Sequence, residues 1–286
     1  MNHVDLRRLL ADCPDLPPGR VVGADEVPAM WVGDAAPAPG LWETLHRAHP
    51  RTGLWPLLLA PLDRSADFRP WLSGELSPPA VTDPARHDPH ELLRTWWDGL
   101  GPEEEEEEDE GEDEEEGEDE DDGEDEDDGE DEEEELGAVL APFGRTWPGA
   151  APSTPVPAAD ADECARIRAS VLESAPNLRI GLVAAPGGAA ALAACGWTGP
   201  ANHAGTGRIA AVLADWEHRF GIRVVRAGFD TLELSVPNPP TTREAALRVA
   251  AEHVALCPDQ VFQGTGSLTA YADLLVGSHE WMFWWD

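Results

Sequence analysis

The chain has no lysine; its 19 basic residues are all arginine. We read that absence as a coding bias toward G and C rather than as a feature of a site. The arginines do not gather into a basic face, and phosphates cannot be neutralised without one, so nucleic-acid binding is not expected. Cysteine is scarce. Cys13, Cys164, Cys195 and Cys257 stand apart with no CxxC pair, the usage of a reduced, intracellular compartment. No run of about 18 apolar residues occurs, so no membrane-spanning helix is expected. The N-terminal MNHVDLRRLLADC has too few apolar residues for a signal-peptide core, and a cytoplasmic location follows. The Lys-Ser/Thr of a phosphate loop and the spaced glycines of a dinucleotide fingerprint are missing too. No cofactor and no metal are expected, and no motif names a reaction.

What the chain has in excess is acid. From Glu103 to Glu135 every residue is Asp or Glu except Gly111, Gly117, Gly123 and Gly129. The run holds 29 of the 57 acidic residues; the other 28 stand against 19 arginines, so the remainder carries about −9 of the total −38. Like charges at this density repel, and with no apolar side chain to bury, the run cannot offset the entropy of ordering its backbone. It reads as a solvated, disordered tether that divides the chain. Its charge also suits a basic protein partner.

Before the run, VVGADEVPAMWVG suggests one or two short strands with turns at Gly23 and Gly33. Leu41, Trp42, Leu45 and Ala48 recur at helical spacing, with Pro50 as the stop. Trp55 to Pro61 is a continuous apolar run, as expected of a strand buried on both faces. Prolines 70, 78, 79, 84 and 89 make the next stretch a loop, and a helix opens at Asp88 or His90. After the run, Pro142 to Pro157 reads as linker, with Phe143 and Trp147 as docking points, and a short helix covers Asp160 to Glu173. Leu178 to Ala185 is a strand, and Pro186-Gly187-Gly188 turns it into an alanine-rich helix ending near Cys195. Ile209, Val212, Leu213, Trp216 and Phe220 mark one face of a helix, with Gly221 as its left-handed cap. IRVVRAGF and TLELSV form a hairpin about Asp230. Thr241 and Glu244 form a capping box for the next helix, Ser267 caps a shorter one, and WMFWWD is a terminal strand. In that strand Trp281, Phe283 and Trp285 face one way, Met282 and Trp284 the other.

The expected class is α+β: a small, mostly antiparallel sheet covered by helices over residues 178–286, a separate α/β region over 1–100, and an acidic, proline-rich, disordered linker over 101–158.

GWTGPANH, WEHRFGIRVVRAGFDTLELSV, PPTTREAALRVAAEHVALCPD and the closing WMFWWD together resemble a bacterial, largely actinobacterial family, domain of unknown function four-two-five-three. The resemblance covers about Leu178 to Asp286 and little of the first half. It implies a boundary and an intracellular bacterial setting, and no catalytic residue.

Candidate groups are few. His253 and Cys257 stand one helical turn apart, but a zinc site needs two further ligands, and a structural cysteine suits the alanine-rich helix better than a nucleophile does. Pro186-Gly187-Gly188 offers amides at a helix start, where an anion can bind, although an ordinary strand-to-helix turn explains it. Glu217 and Arg219 read as a solvated helix flank. A pocket or partner surface is expected along the 198–207 loop and the Asp259 edge, with Asn202, His203, Asp230, Asp259 and Gln263 as polar groups and Trp216, Trp281 and Trp284 as its aromatic part. Five tryptophans after residue 178 exceed what a small core needs, and tryptophan concentrates at binding hot spots. The expected function is a non-enzymatic, regulatory or toxin-neutralising protein-binding module; the alternative is an enzyme of unrecognised type with its site at the 198–207 loop and Asp259.

Overall fold

Leu54, Trp55, Leu57, Leu58 and Leu59 form a strand that is hydrophobic on both faces, so both faces must be covered. The computed structural model describes residues 6–13, 16–24, 27–62, 68–77, 83–101 and 125–286, the side chains of 125–131 excepted, and places this strand near the middle of a sheet. In chain order the elements are α1 (Leu6–Ala11), β1 (Gly19–Val22), β2 (Met30–Gly33), α2 (Leu41–Thr52), β3 (Leu54–Leu59), α3 (Pro89–Asp98), α4 (Asp125–Val139), α5 (Ala158–Leu172), β4 (Arg179–Ala184), α6 (Gly188–Cys195), α7 (Thr206–Arg219), β5 (Arg223–Ala227), β6 (Thr231–Ser235), α8 (Arg243–Leu256), α9 (Leu268–Leu275) and β7 (Glu280–Trp284). A short 3-10 turn (Pro84–Arg86) precedes α3 and a π-helical turn (Gln260–Thr265) precedes α9.

All seven strands lie in one sheet, in the order β1-β2-β4-β3-β5-β6-β7. Every neighbouring pair is antiparallel except β3 with β5. The α+β class and the mostly antiparallel, helix-covered sheet are as expected. The division at residues 1–100 and 178–286 is not how this sheet is built. β4 pairs on one side with β2 (Met30↔Val183) and on the other with β3 (Leu57↔Gly181), so strands from both sides of the acidic run alternate. The reason is the two-faced hydrophobicity of β3 and β4: each needs a strand on both edges and a helix layer above and below.

Those layers divide by alternation. Leu54 and Leu58 of β3, Ile180 and Leu182 of β4 and Trp31 of β2 pack under α1, α2 and α5. Trp55, Leu57 and Leu59, with Val183, Met30 and Val32, face the layer of α3 and α6 to α9. The expected linker over 101–158 is shorter at its C-terminal end. Its residues 102–124 lie outside the described residues, but the backbone is helical from Asp125, and Leu136, Leu140 and Ala151 are buried. Phe143 and Trp147 pack on the same core, the two rings of Trp97 and Trp147 lying 5.6 Å apart.

Caps account for most helix limits. Asp88 Oδ1 accepts the His90 and Glu91 amides at the start of α3, and Ser267 Oγ accepts the Ala270 amide at the start of α9. The cap of α8 is Thr242, which accepts the Ala245 amide, and not Thr241. α2 runs two residues past Pro50 and stops at Gly53, whose φ of 68° lets its amide turn back to His49 O.

The tryptophan surplus belongs to the core. Trp197, Trp216, Trp281 and Trp285 are all buried. Three place their indole N–H on an acceptor: Trp197 on Gly228 O (2.8 Å), Trp216 on Glu252 Oε2 (2.7 Å) and Trp285 on Leu256 O (3.2 Å). Met282 is exposed and Trp284 half-buried, the alternation expected of β7.

Candidate functional site

Four of the expected polar residues meet at one edge. Asp259 accepts the Gln263 amide group (3.0 Å) and, on its other oxygen, the Asp286 backbone N–H (3.0 Å); Asn202 donates to Asp286 O (3.4 Å). His203 is half-buried beside Trp96, and burial lowers its pKa, with Asp259 opposing. Asp259, Gln263 and Asn202 are engaged with one another and with Asp286, while His203 Nε2 is buried without a hydrogen-bond partner within the protein. Asp230 sits apart in the hairpin turn, where its backbone carbonyl accepts the Trp285 amide. Trp216 and Trp281 cannot line a surface pocket, being 0% and 1% exposed; they pack on each other and on His253 because the core needs filling under β7. Trp284 O is taken by the Cys257 thiol (2.9 Å).

The His253 and Cys257 pair is likewise enclosed. His253 Nδ1 meets the Tyr271 hydroxyl at 3.0 Å, and burial pushes the His253 pKa down to about 3. Burial pushes the Cys257 thiol up to about 12, far from a ready thiolate. Among the described residues no three His, Cys, Asp or Glu side chains are placed to share a metal ion.

A different site lies where the two layers meet at the sheet's end. β3 and β5 pair only at Leu58↔Arg226 and Leu59↔Ala227. Upstream the strands part, and Trp55 spans the gap with its indole N–H on Val224 O (3.2 Å). Into this opening project His46 and His49 from α2, Asp162 from α5, Glu217 from α7 and Arg223 from β5, with Pro186 and Gly187 at the mouth of α6. The cavity measures about 260 Å³.

His46 and His49 are one helical turn apart and so share a face. Trp42, one turn earlier, stacks on the His46 ring (4.6 Å between centroids, 11° between planes), and Trp55 meets both imidazoles edge-on (5.0 and 5.1 Å). His46 is 4% exposed, yet neither ring nitrogen has a hydrogen-bond partner within the protein. Burial drives its pKa down to about 4 against the pull of Asp162, whose Oδ1 is 3.9 Å from Nε2. At neutral pH it is an uncharged imidazole with one lone pair to offer. His49 Nε2 lies 2.8 Å from Ala185 O, and since a carbonyl only accepts, that nitrogen carries a proton.

The charged groups are arranged unequally. Asp162 Oδ1 accepts Arg223 Nε (3.0 Å), and Arg223 Nη1 donates to Ile222 O (2.9 Å) and Gly221 O (3.4 Å). Glu217 accepts the Ala189 amide (3.1 Å), and burial raises its pKa, with that amide and the Arg223 charge opposing. The helix it caps can sit here only because Gly188 has no side chain; a Cβ there would lie 2.6 Å from Val224 Cβ. The Pro186-Gly187-Gly188 turn therefore offers its amides to Glu217, not to an outside anion. Glu217 and Arg219 are not a solvated flank: Arg219 pairs with Asp215 and with buried Glu252. His46 and His49 were not singled out from sequence, although His-x-x-His on the stripe of Trp42 and Leu45 was a readable signal.

Fold and cavity define an α+β protein with one mixed sheet between two helical layers and a polar cavity at the sheet's end. Within it, residues 179–286 match the family described as Domain of unknown function (DUF4253). The match begins at β4 and takes in Glu217 and Arg223, but not His46, His49 or Asp162. No curated protein and no solved structure matches the chain. Among the described residues no helix is long and apolar enough to cross a membrane.

Proposed function

We propose that the protein binds a small polar molecule in the His46–Glu217 cavity and moves a proton on it. The observation that carries this reading is His46: a nine-tenths-buried imidazole with both nitrogens unpartnered within the protein, facing a cavity. Leaving one buried polar atom unsatisfied costs about 1–3 kcal/mol, which a purely structural position would avoid with an apolar side chain. Burial disfavours the charge on His46 and so keeps it uncharged at neutral pH, the state a general base needs. His46, uncharged, takes a proton from the bound molecule; Asp162, anchored by Arg223, stabilises the imidazolium; Glu217 holds the molecule against His46 as its hydrogen-bond acceptor. The free cysteines of the chain suit a reducing, cytoplasmic setting.

The test is a thermal-shift screen of small polar molecules on the intact chain and on His46→Gln, followed by a turnover assay of the hits. Hits that stabilise the parent and not the variant support the reading. Hits that stabilise both equally refute it.

A second reading keeps the capture of a basic protein, now resting mainly on charge, because Trp216 and Trp281 are buried and Trp284 is half-buried. A partner retained from lysate by the intact chain, and lost both in high salt and on deletion of residues 103–135, would support it.

A further inference from the structure

We infer that the molecule this cavity takes is a small organic cation with an ammonium head, an inference that rests on the cavity being a ligand site at all. The cavity is rich in acceptors and poor in free donors. Arg223 is engaged by Asp162 and by two backbone carbonyls, and its charge also acts on Glu217, so few of its donors are left for a ligand. The amides at the start of α6 face Glu217. An incoming anion would find no amide waiting and two carboxylates beside it.

Glu217 has the opposite need. It is the carboxylate of the cavity that forms no ion pair among the described residues, and backbone amides are its hydrogen-bond donors. An ammonium group has three N–H donors and no acceptor. Glu217 and the lone pair of His46 line the cavity as acceptors, and Asp162 adds charge. A buried carboxylate gains most from a charge-assisted partner, because the low dielectric strengthens the pair. A metal ion is the weaker fit, since the described residues hold no three ligands placed to share one. An alcohol would offer Glu217 a hydrogen bond but no ion-pair partner.

The experiment titrates the full-length protein with three probes of one shape: butylammonium chloride, butanol and sodium butyrate. The His46 ring resonances, assigned by comparison with His46→Gln, are the readout, because they report on the cavity itself. The expected result is a saturable shift with butylammonium alone, weakened about tenfold or more in Glu217→Gln, the worth of one charge-assisted hydrogen bond. The glutamine oxygen can still accept the Ala189 amide, so this variant should keep its melting temperature; Asp162→Asn is a second, milder variant. Butyrate or butanol shifting the ring as strongly as butylammonium would overturn the cation and leave the cavity reading standing. Unchanged butylammonium affinity in Glu217→Gln would overturn the role of Glu217 and with it the inference. If no probe moves the ring, the cation and the cavity reading both fall.

Discussion

Residues 178–286 produced without the rest of the chain should fail to fold, even though the family match starts at residue 179. In the whole protein β4 is flanked by β2 and β3, and no strand after residue 178 pairs with it. Cutting at 178 therefore strips β4 of both neighbours and parts it from β5, because β3 lies between them. Ile180, Leu182 and Val183 are at most 1% exposed in the intact sheet. At about 1.5–3 kcal/mol for each side chain returned to water, the three alone cost about 5–9 kcal/mol. That is comparable with the whole stability of an ordinary domain, about 5–15 kcal/mol. The assay is urea unfolding followed by far-ultraviolet circular dichroism and by tryptophan fluorescence. The fragment is expected to show no cooperative transition, and a co-expressed pair, 1–101 with 125–286, to recover one. A sharp, reversible transition in 178–286 alone would refute the single-sheet argument and restore the two-module reading.

The same unfolding assay checks three further expectations. Glu252→Ala removes the acceptor of the Trp216 indole, the Ala151 amide and the Arg219 guanidinium at a fully buried position; a loss of about 3–5 kcal/mol is expected, and one below about 1 kcal/mol would refute a structural role for that network. Trp281→Ala should cost about 3–5 kcal/mol and Met282→Ala no more than about 0.5 kcal/mol, since one side chain is buried and its neighbour is 52% exposed; equal losses would contradict the facing of β7. Acid should weaken the fold early. His46 and His253 have folded pKa values lowered to about 4 and about 3 from an ordinary 6.5, so the unfolded chain takes up protons that the folded one refuses. Their contribution is complete above pH 6.5 and falls with pH by up to about 1.4 kcal/mol per unit for each histidine, down to the folded values. A urea midpoint unchanged between about pH 7 and about pH 5 would count against it.

Local elements were legible in the sequence wherever a local rule decides them. Asp88 and Ser267 announce α3 and α9 by capping chemistry, and the alternation of WMFWW fixes which side of β7 is buried. The sheet's order was not legible, because the partners of β4 lie on the far side of a charged run and no local pattern records which distant strand a buried strand will choose. That one blind spot produced the other errors. Counted against residues 178–286 alone, five tryptophans look like too many for a core; counted against a sheet that also carries Met30, Val32, Leu57 and Leu59, four of them are filling.

The candidate site follows the same logic. His46 and Glu217 are separated by the whole acidic run, and neither means much alone: a histidine on an apolar helix stripe reads as packing, a glutamate on a helix flank as solvation. Only where β3 and β5 part, above their last pair at Leu58 and Arg226, do the two elements carrying them open onto one cavity. If the chemistry lies there, its base comes from before the run and its binding carboxylate from after it, so neither half of the chain can perform it by itself. Activity should then appear only in chains or fragment pairs that rebuild the β3–β5 contact, and a 178–286 fragment retaining turnover would place the site elsewhere.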